Sequence, residues 1–162
     1  METGDWTQVL LLRDVAAAMG LGALIGLERE SSRKAAGMRT HMFLAGSAAL
    51  LVSLGSVLVE RFSSETASQL VRSDPIRIIE AVITAIGFLG AGTIIRNTRG
   101  RMIEGVTTAA SLLFTGGVGI CCALSQWIAA VGVVVLALVT LRVLGGLEPA
   151  SIDTGPDNSK RP

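Results

Sequence analysis

Long apolar runs separated by short polar connectors dominate the chain. Runs of roughly 20 residues with few charges read as membrane-crossing helices. The pattern predicts five of them: Val9 to Leu27, Met42 to Val59, Asp74 to Ile95, Ile103 to Ala123 and Trp127 to Leu144. Asp74-Pro75 is a helix-start signal, since Asp caps free N–H groups and Pro suits the first turn. Arg96 to Arg101 reads as a tight turn, and Ser125-Gln126 as a very short reversal. The expected fold is all-α, a compact bundle of five transmembrane helices. It is flanked by an extracytoplasmic N-terminus (residues 1–8) and a disordered cytoplasmic tail (147–162), with the membrane domain over 9–146.

Composition sharpens this picture. Half of the 162 residues are hydrophobic and 17% are charged, too little polar surface to cover a soluble core. A net charge of +1 gives no sign of nucleic-acid binding. Glu2 and Asp5 precede the first run without a base, so no cleavable signal peptide is expected. Cys121 and Cys122 are adjacent and read as small residues of an apolar helix.

Charge distribution orients the bundle. With five spans, the first and third connectors and the C-terminal tail share one face, which holds ten of the fourteen bases and six of the thirteen acids. The positive-inside rule makes that face cytoplasmic and the N-terminus external. Trp6 and Trp127 then fall at the outer interface, as amphipathic rings prefer. Asp14, Asp74 and Glu80 read as a solvated outer rim, with Arg77 and Glu80 neutralising Asp14 and Arg13.

This topology gathers the notable polar residues at the inner face: Glu28, Arg29, Glu30, Arg39, Thr40, Thr93, Arg96, Thr107 and Thr108. Ions near hydrocarbon are best satisfied by one another. Glu28 or Glu30 is therefore expected to pair with Arg39 or Arg96, with Thr93, Thr107 and Thr108 donating hydrogen bonds; a purely structural clamp is the competing reading. His41 reads as an interfacial side chain rather than a pH sensor. Gly22, Gly26, Gly87, Gly90, Gly92 and Gly105 are expected to let helices approach closely. Gly22 and Gly26 have GxxxG spacing, which favours packing within one chain and leaves homo-oligomerisation open.

Five motifs stand in order: Gly-Leu-Glu-Arg-Glu (26–30), Gly-Met-Arg-Thr (37–40), Asp-Pro-Ile-Arg (74–77), Gly-Phe-Leu-Gly-Ala-Gly-Thr-Ile (87–94) and Gly-Val-Thr-Thr-Ala-Ala-Ser-Leu (105–112). Through them the chain, from about Leu11 to Leu144, resembles the MgtC/SapB family of bacterial inner-membrane proteins. The resemblance implies a multi-pass inner-membrane protein linked to growth in low magnesium and, in pathogens, to survival inside macrophages and virulence. Some members are linked to restraint of the ATP synthase, which makes its membrane sector one partner the resemblance implies. Longer members add a soluble C-terminal domain, which is not expected in this chain. Members usually have Trp where Leu113 stands, and often a base where Glu104 stands.

The residues themselves argue against catalysis. No phosphate-loop motif is present, and the glycine-rich run at Gly87 lies inside an apolar stretch with no preceding strand. No His, Cys and carboxylate cluster has metal-site spacing, and no cofactor is implied. Two readings remain: a non-enzymatic regulator that contacts another membrane protein, or an ion-transport component using the outer acids. The regulator is favoured because small residues suit helix docking and the carboxylates sit near helix ends.

Overall fold

A computed structural model describes residues 3–64, 75–96 and 103–145. Five helices run in chain order: α1 (Thr3–Ser31), α2 (Met38–Ser64), α3 (Pro75–Thr93), α4 (Val106–Ala123) and α5 (Trp127–Gly145). Between α3 and α4, β1 (Ile95–Arg96) pairs antiparallel with β2 (Ile103–Glu104), with Ile95 opposite Glu104. This short ladder replaces the purely helical hairpin that apolarity suggested there. The apolar run beyond Thr93 is spent on cross-strand bonds rather than on another turn of helix. The tail 147–162, most of the 60–73 connector and the tip of the arginine-bearing turn lie outside the described residues.

Two helices run further than the hydrophobic pattern suggested. α1 continues past Leu27 through Glu28, Arg29 and Glu30, because Glu28 and Arg29 neutralise each other and leave the surface. α2 begins at Met38 rather than Met42, and the reason is tertiary. Its first turn holds no acid, but the Glu30 carboxylate reaches across from α1 and accepts a bond from the Met38 N–H at 2.9 Å. An anion at that free donor also suits the positive end of the helix.

The ends of α1 and α4 share a second device. The Lys34 N–H bonds the Arg29 carbonyl and the Arg33 N–H bonds that of Glu30, with Arg33 at φ +53°. Gln126 and Ser125 repeat the pattern on Cys121 and Cys122, with Ser125 at φ +55°. Both are Schellman closures, which satisfy the last carbonyls without water. At the start of α4, Gly105 has φ +92°, and a side chain there would land on the Thr93 carbonyl. Glycine is required to bring α4 back so tightly against α3.

α1, α2 and α4 form the centre of the bundle, α3 packs on α4 and α2, and α5 packs on α4 and α1. One core cluster joins Ala18 and Ile25 to Ala45, Ala49, Val118, Cys122 and Val134. A second joins Leu44, Ala48, Val52, Val82, Ile86 and Leu112. The interior is built from small residues, while Leu12, Leu24, Phe43, Leu54, Phe88 and Ile128 face outward. That distribution suits hydrocarbon surroundings, where close backbone approach holds helices together. Among the described residues, four helices are long and apolar enough to cross a membrane: Trp6–Ser31, Met38–Glu60, Ile76–Thr93 and Val106–Ala123. The apolar stretch of α5, Trp127–Val143, is shorter.

The glycines differ sharply in what surrounds them. A methyl at Gly26 would sit 2.5 Å from the Met38 Cα, and one at Gly22 would sit 2.7 Å from the His41 carbonyl oxygen. Gly90 makes ordinary contact with Ala109 at 3.4 Å. Gly87 and Gly92 meet no described atom within 4 Å. The reason is that α3 turns that side away from α4. Gly26→Ala should destabilise the protein by about 1–3 kcal/mol, because backbone must move to admit it. Gly20→Ala, with open space around it, should be neutral or raise stability by up to about 1 kcal/mol through helix propensity. Thermal unfolding of the two variants in matched detergent checks the contrast.

Candidate functional site

The α1–α2 crossing at Gly22 and Gly26 sets the last turns of α1 against the first turns of α2 and α4. It puts Glu28 and Arg29 inside the protein, at 6% and 3% exposure. Arg29 Nε donates to Glu28 Oε2 at 2.5 Å, and Ser32 Oγ donates to Glu28 Oε1 at 3.0 Å. The carboxylate therefore has both oxygens engaged by its own helix and its C-terminal turn. Arg142, exposed in the last turn of α5, adds a positive field at Glu28.

Next to this pair stands His41, fully buried. Its Nδ1 lies 2.9 Å from the Gly37 carbonyl oxygen and its Nε2 lies 3.2 Å from Ser111 Oγ on α4. Ser111 Oγ donates to the Thr108 carbonyl at 2.8 Å, and Thr115 Oγ1 donates to the Ser111 carbonyl at 2.8 Å. Thr108, Ser111 and Thr115 are all buried and line one face of α4. His41 therefore faces the protein interior. The side chain lies on the same stripe of α2 as Ala45, Ala48 and Val52, and the nearby α1 glycines make room for its backbone.

The expected ion pairs also need correction. Among the described side chains Glu28 pairs with its neighbour Arg29 rather than with Arg39. Glu30 is exposed and serves as the cap of α2. Arg39 is exposed and has no ion pair among the described residues. The hydroxyls expected to bond these carboxylates do not do so. Thr93 Oγ1 bonds the Gly90 carbonyl at 2.7 Å, Thr107 is exposed, and Thr108 is buried on α4. Thr40 is exposed and lines a recess between α2 and α3. Arg96 falls in β1, with its side chain outside the described residues. Sequence reasoning passed over Ser32, Ser111 and Thr115. The last two could have been found as hydroxyls three and seven positions after Thr108 in an otherwise apolar helix.

At the opposite end of the bundle, Asp14 is buried rather than part of a solvated rim. It accepts from Arg13 Nε at 2.9 Å and Nη2 at 2.8 Å. The Arg13 guanidinium stands 5.3 Å from the ring centre of Trp127, tying α1 to the start of α5. Among the described residues, no three His, Cys, Asp or Glu side chains converge in a way that could hold a metal ion.

Comparison with known proteins gives a match to the MgtC family over residues 15–149. The chain belongs to this family. Protein MgtC of Salmonella typhimurium is 38% identical over 132 residues, which cover 80% of this chain and 51% of that protein. An uncharacterized protein of Haemophilus influenzae is 35% identical over 135 residues, 83% of this chain and 56% of the relative. YhiD of Escherichia coli K12, provisionally named a magnesium transporter, is 36% identical over 113 residues, 70% of this chain and 50% of its own length. The chain spans about half the length of the curated relatives it matches. No solved structure matches it. Family membership and the four apolar helices make it a multi-pass protein of the bacterial inner membrane.

Glu28→Ala should strand the Arg29 guanidinium in the interior and cost about 3–5 kcal/mol, whereas removing both partners should cost clearly less than the sum of the single changes. Arg39→Ala should be nearly silent, within about 0.5 kcal/mol, as for a surface substitution. Unfolding of the wild type, Glu28→Ala, Arg29→Ala, their double variant and Arg39→Ala in one lipid mimetic checks all three expectations.

Proposed function

We propose that this chain is a non-enzymatic regulator tied to magnesium homeostasis, supporting adaptation to low magnesium and, in pathogens, intracellular survival and virulence. It acts by docking onto another protein in the membrane. The observation that carries the reading is the uncovered face of α3, the least covered of the four apolar spans. Gly87 and Gly92 lie open there beside Phe88 and Leu89, which project outward. Glycines flanked by large apolar side chains let a foreign helix approach closely, and dispersion contacts are the main association force between helices in lipid.

In this reading α5 is the fifth span, the N-terminus is external, and the basic connectors face the cytoplasm. The family resemblance makes the membrane sector of the ATP synthase one partner to test, and a second copy of the chain another. Magnesium or other ion transport is the second reading, which the name of the Escherichia coli relative supports. It is weakened by Asp14, whose carboxylate is held by Arg13 instead of facing the outer solution.

Crosslinked co-purification from native membranes tests the docking reading. Gly87→Leu should keep wild-type abundance and thermal stability but lose at least about tenfold of the captured partner, a loss of about 1.4 kcal/mol in binding. Capture unchanged by Gly87→Leu would rule out the α3 face. Magnesium flux from liposomes containing this chain alone would favour transport instead.

A further inference from the structure

The hydrogen bonds around His41 can all be satisfied in only one protonation state. The Gly37 carbonyl can only accept, so Nδ1 must carry a hydrogen to stand 2.9 Å from it. Ser111 has one hydroxyl hydrogen, which the short 2.8 Å contact assigns to the Thr108 carbonyl. The Ser111 oxygen therefore faces Nε2 as an acceptor at 3.2 Å, and Nε2 must carry a hydrogen too. A ring with both nitrogens protonated fits. When the ring holds a single hydrogen, on Nδ1, Ser111 must turn its hydroxyl toward Nε2 and release Thr108.

A cavity of about 370 Å³ between α4 and α5 is lined by Ser111, Thr107 and Thr140, with Phe114, Leu136 and Leu141 completing its apolar walls. The hydroxyls give water a polar edge along which to reach Ser111.

We propose that His41 and Ser111 form a proton-binding site, filled from the α4–α5 cavity, whose occupancy sets the contact between α2 and α4. A proton taken from water adds to Nε2; its release returns the Ser111 hydroxyl to that nitrogen. The surrounding charges are few. Glu28 and Arg29 stand on α1 as a mutually neutralised pair, and Arg142 lies in the last turn of α5. On α2 itself Arg39 is exposed, and the described part of α4 holds no ionisable group besides Cys121 and Cys122. The inference goes beyond the regulator reading and does not depend on it.

His41 is the sole histidine of the chain, so its ring nitrogens can be followed without ambiguity. The full chain, labelled with ¹⁵N-histidine and ¹³C-threonine in lipid nanodiscs, would be followed by NMR from about pH 8 to about pH 5, where imidazoles ordinarily titrate. At high pH the hydrogen should reside on Nδ1 alone, and at low pH on both nitrogens. The Thr108 carbonyl resonance should move with the same midpoint. In Ser111→Ala that carbonyl response should disappear. A mixture of tautomers at high pH, one unchanging protonation state, or a titration that leaves the Thr108 carbonyl still in the wild-type protein would each overturn the proposal. The wild-type spectra decide the matter even if the variant fails to fold.

Discussion

The crossing of α1 on α2 at Gly22 and Gly26 governs one half of this protein. Without side chains at those points, one helix lies directly on the backbone of the other, at Met38 and His41. That approach draws the charged end of α1 into the interior and presses His41 toward α4. In hydrocarbon there is no gain from hiding apolar surface between helices, so contact distance becomes the main source of affinity. Alanines at positions 18, 45, 48 and 49 and Gly119 extend the same logic across the bundle.

Most polar groups inside the bundle are satisfied by the protein itself. Glu28 has Arg29 and Ser32, Asp14 has Arg13, and the α4 hydroxyls bond carbonyls of their own helix. The start of α2 is capped by a carboxylate from α1, and two helix ends close on themselves through left-handed residues. Each device answers the same constraint, that a backbone or side-chain polar group has no solvent partner at membrane depth. Ser53 Oγ is the exception among the described residues, buried with no bonding partner.

Membership of the MgtC family joins this architecture to relatives about twice as long. The membrane bundle is the part shared with them, and its two ends are chemically distinct. One end holds a guanidinium and a carboxylate against Trp127; the other holds a buried acid, base and histidine together. Between them α3 stands at the edge with Gly87 and Gly92 uncovered, the least buried of the four apolar spans.

The membrane class, the helix count and the start of α3 at Pro75 were all legible in the chain, because solubility in lipid is a property of composition and run length. The family was legible too, since the ordered motifs are local strings. The partners of individual residues were not. Glu28 bonds Arg29, one position away, and the glycine crossing sets both inside the protein. His41 lies in a stripe with alanines that periodicity could have flagged, but only its encounter with Ser111, seventy residues on, turns a polar side chain into a bridge between helices. Gly26 and Gly87 occupy similar motifs, yet one meets backbone and the other open space. Which face of a helix meets a neighbour depends on how all five helices fit together, and local sequence carries no record of that until they pack.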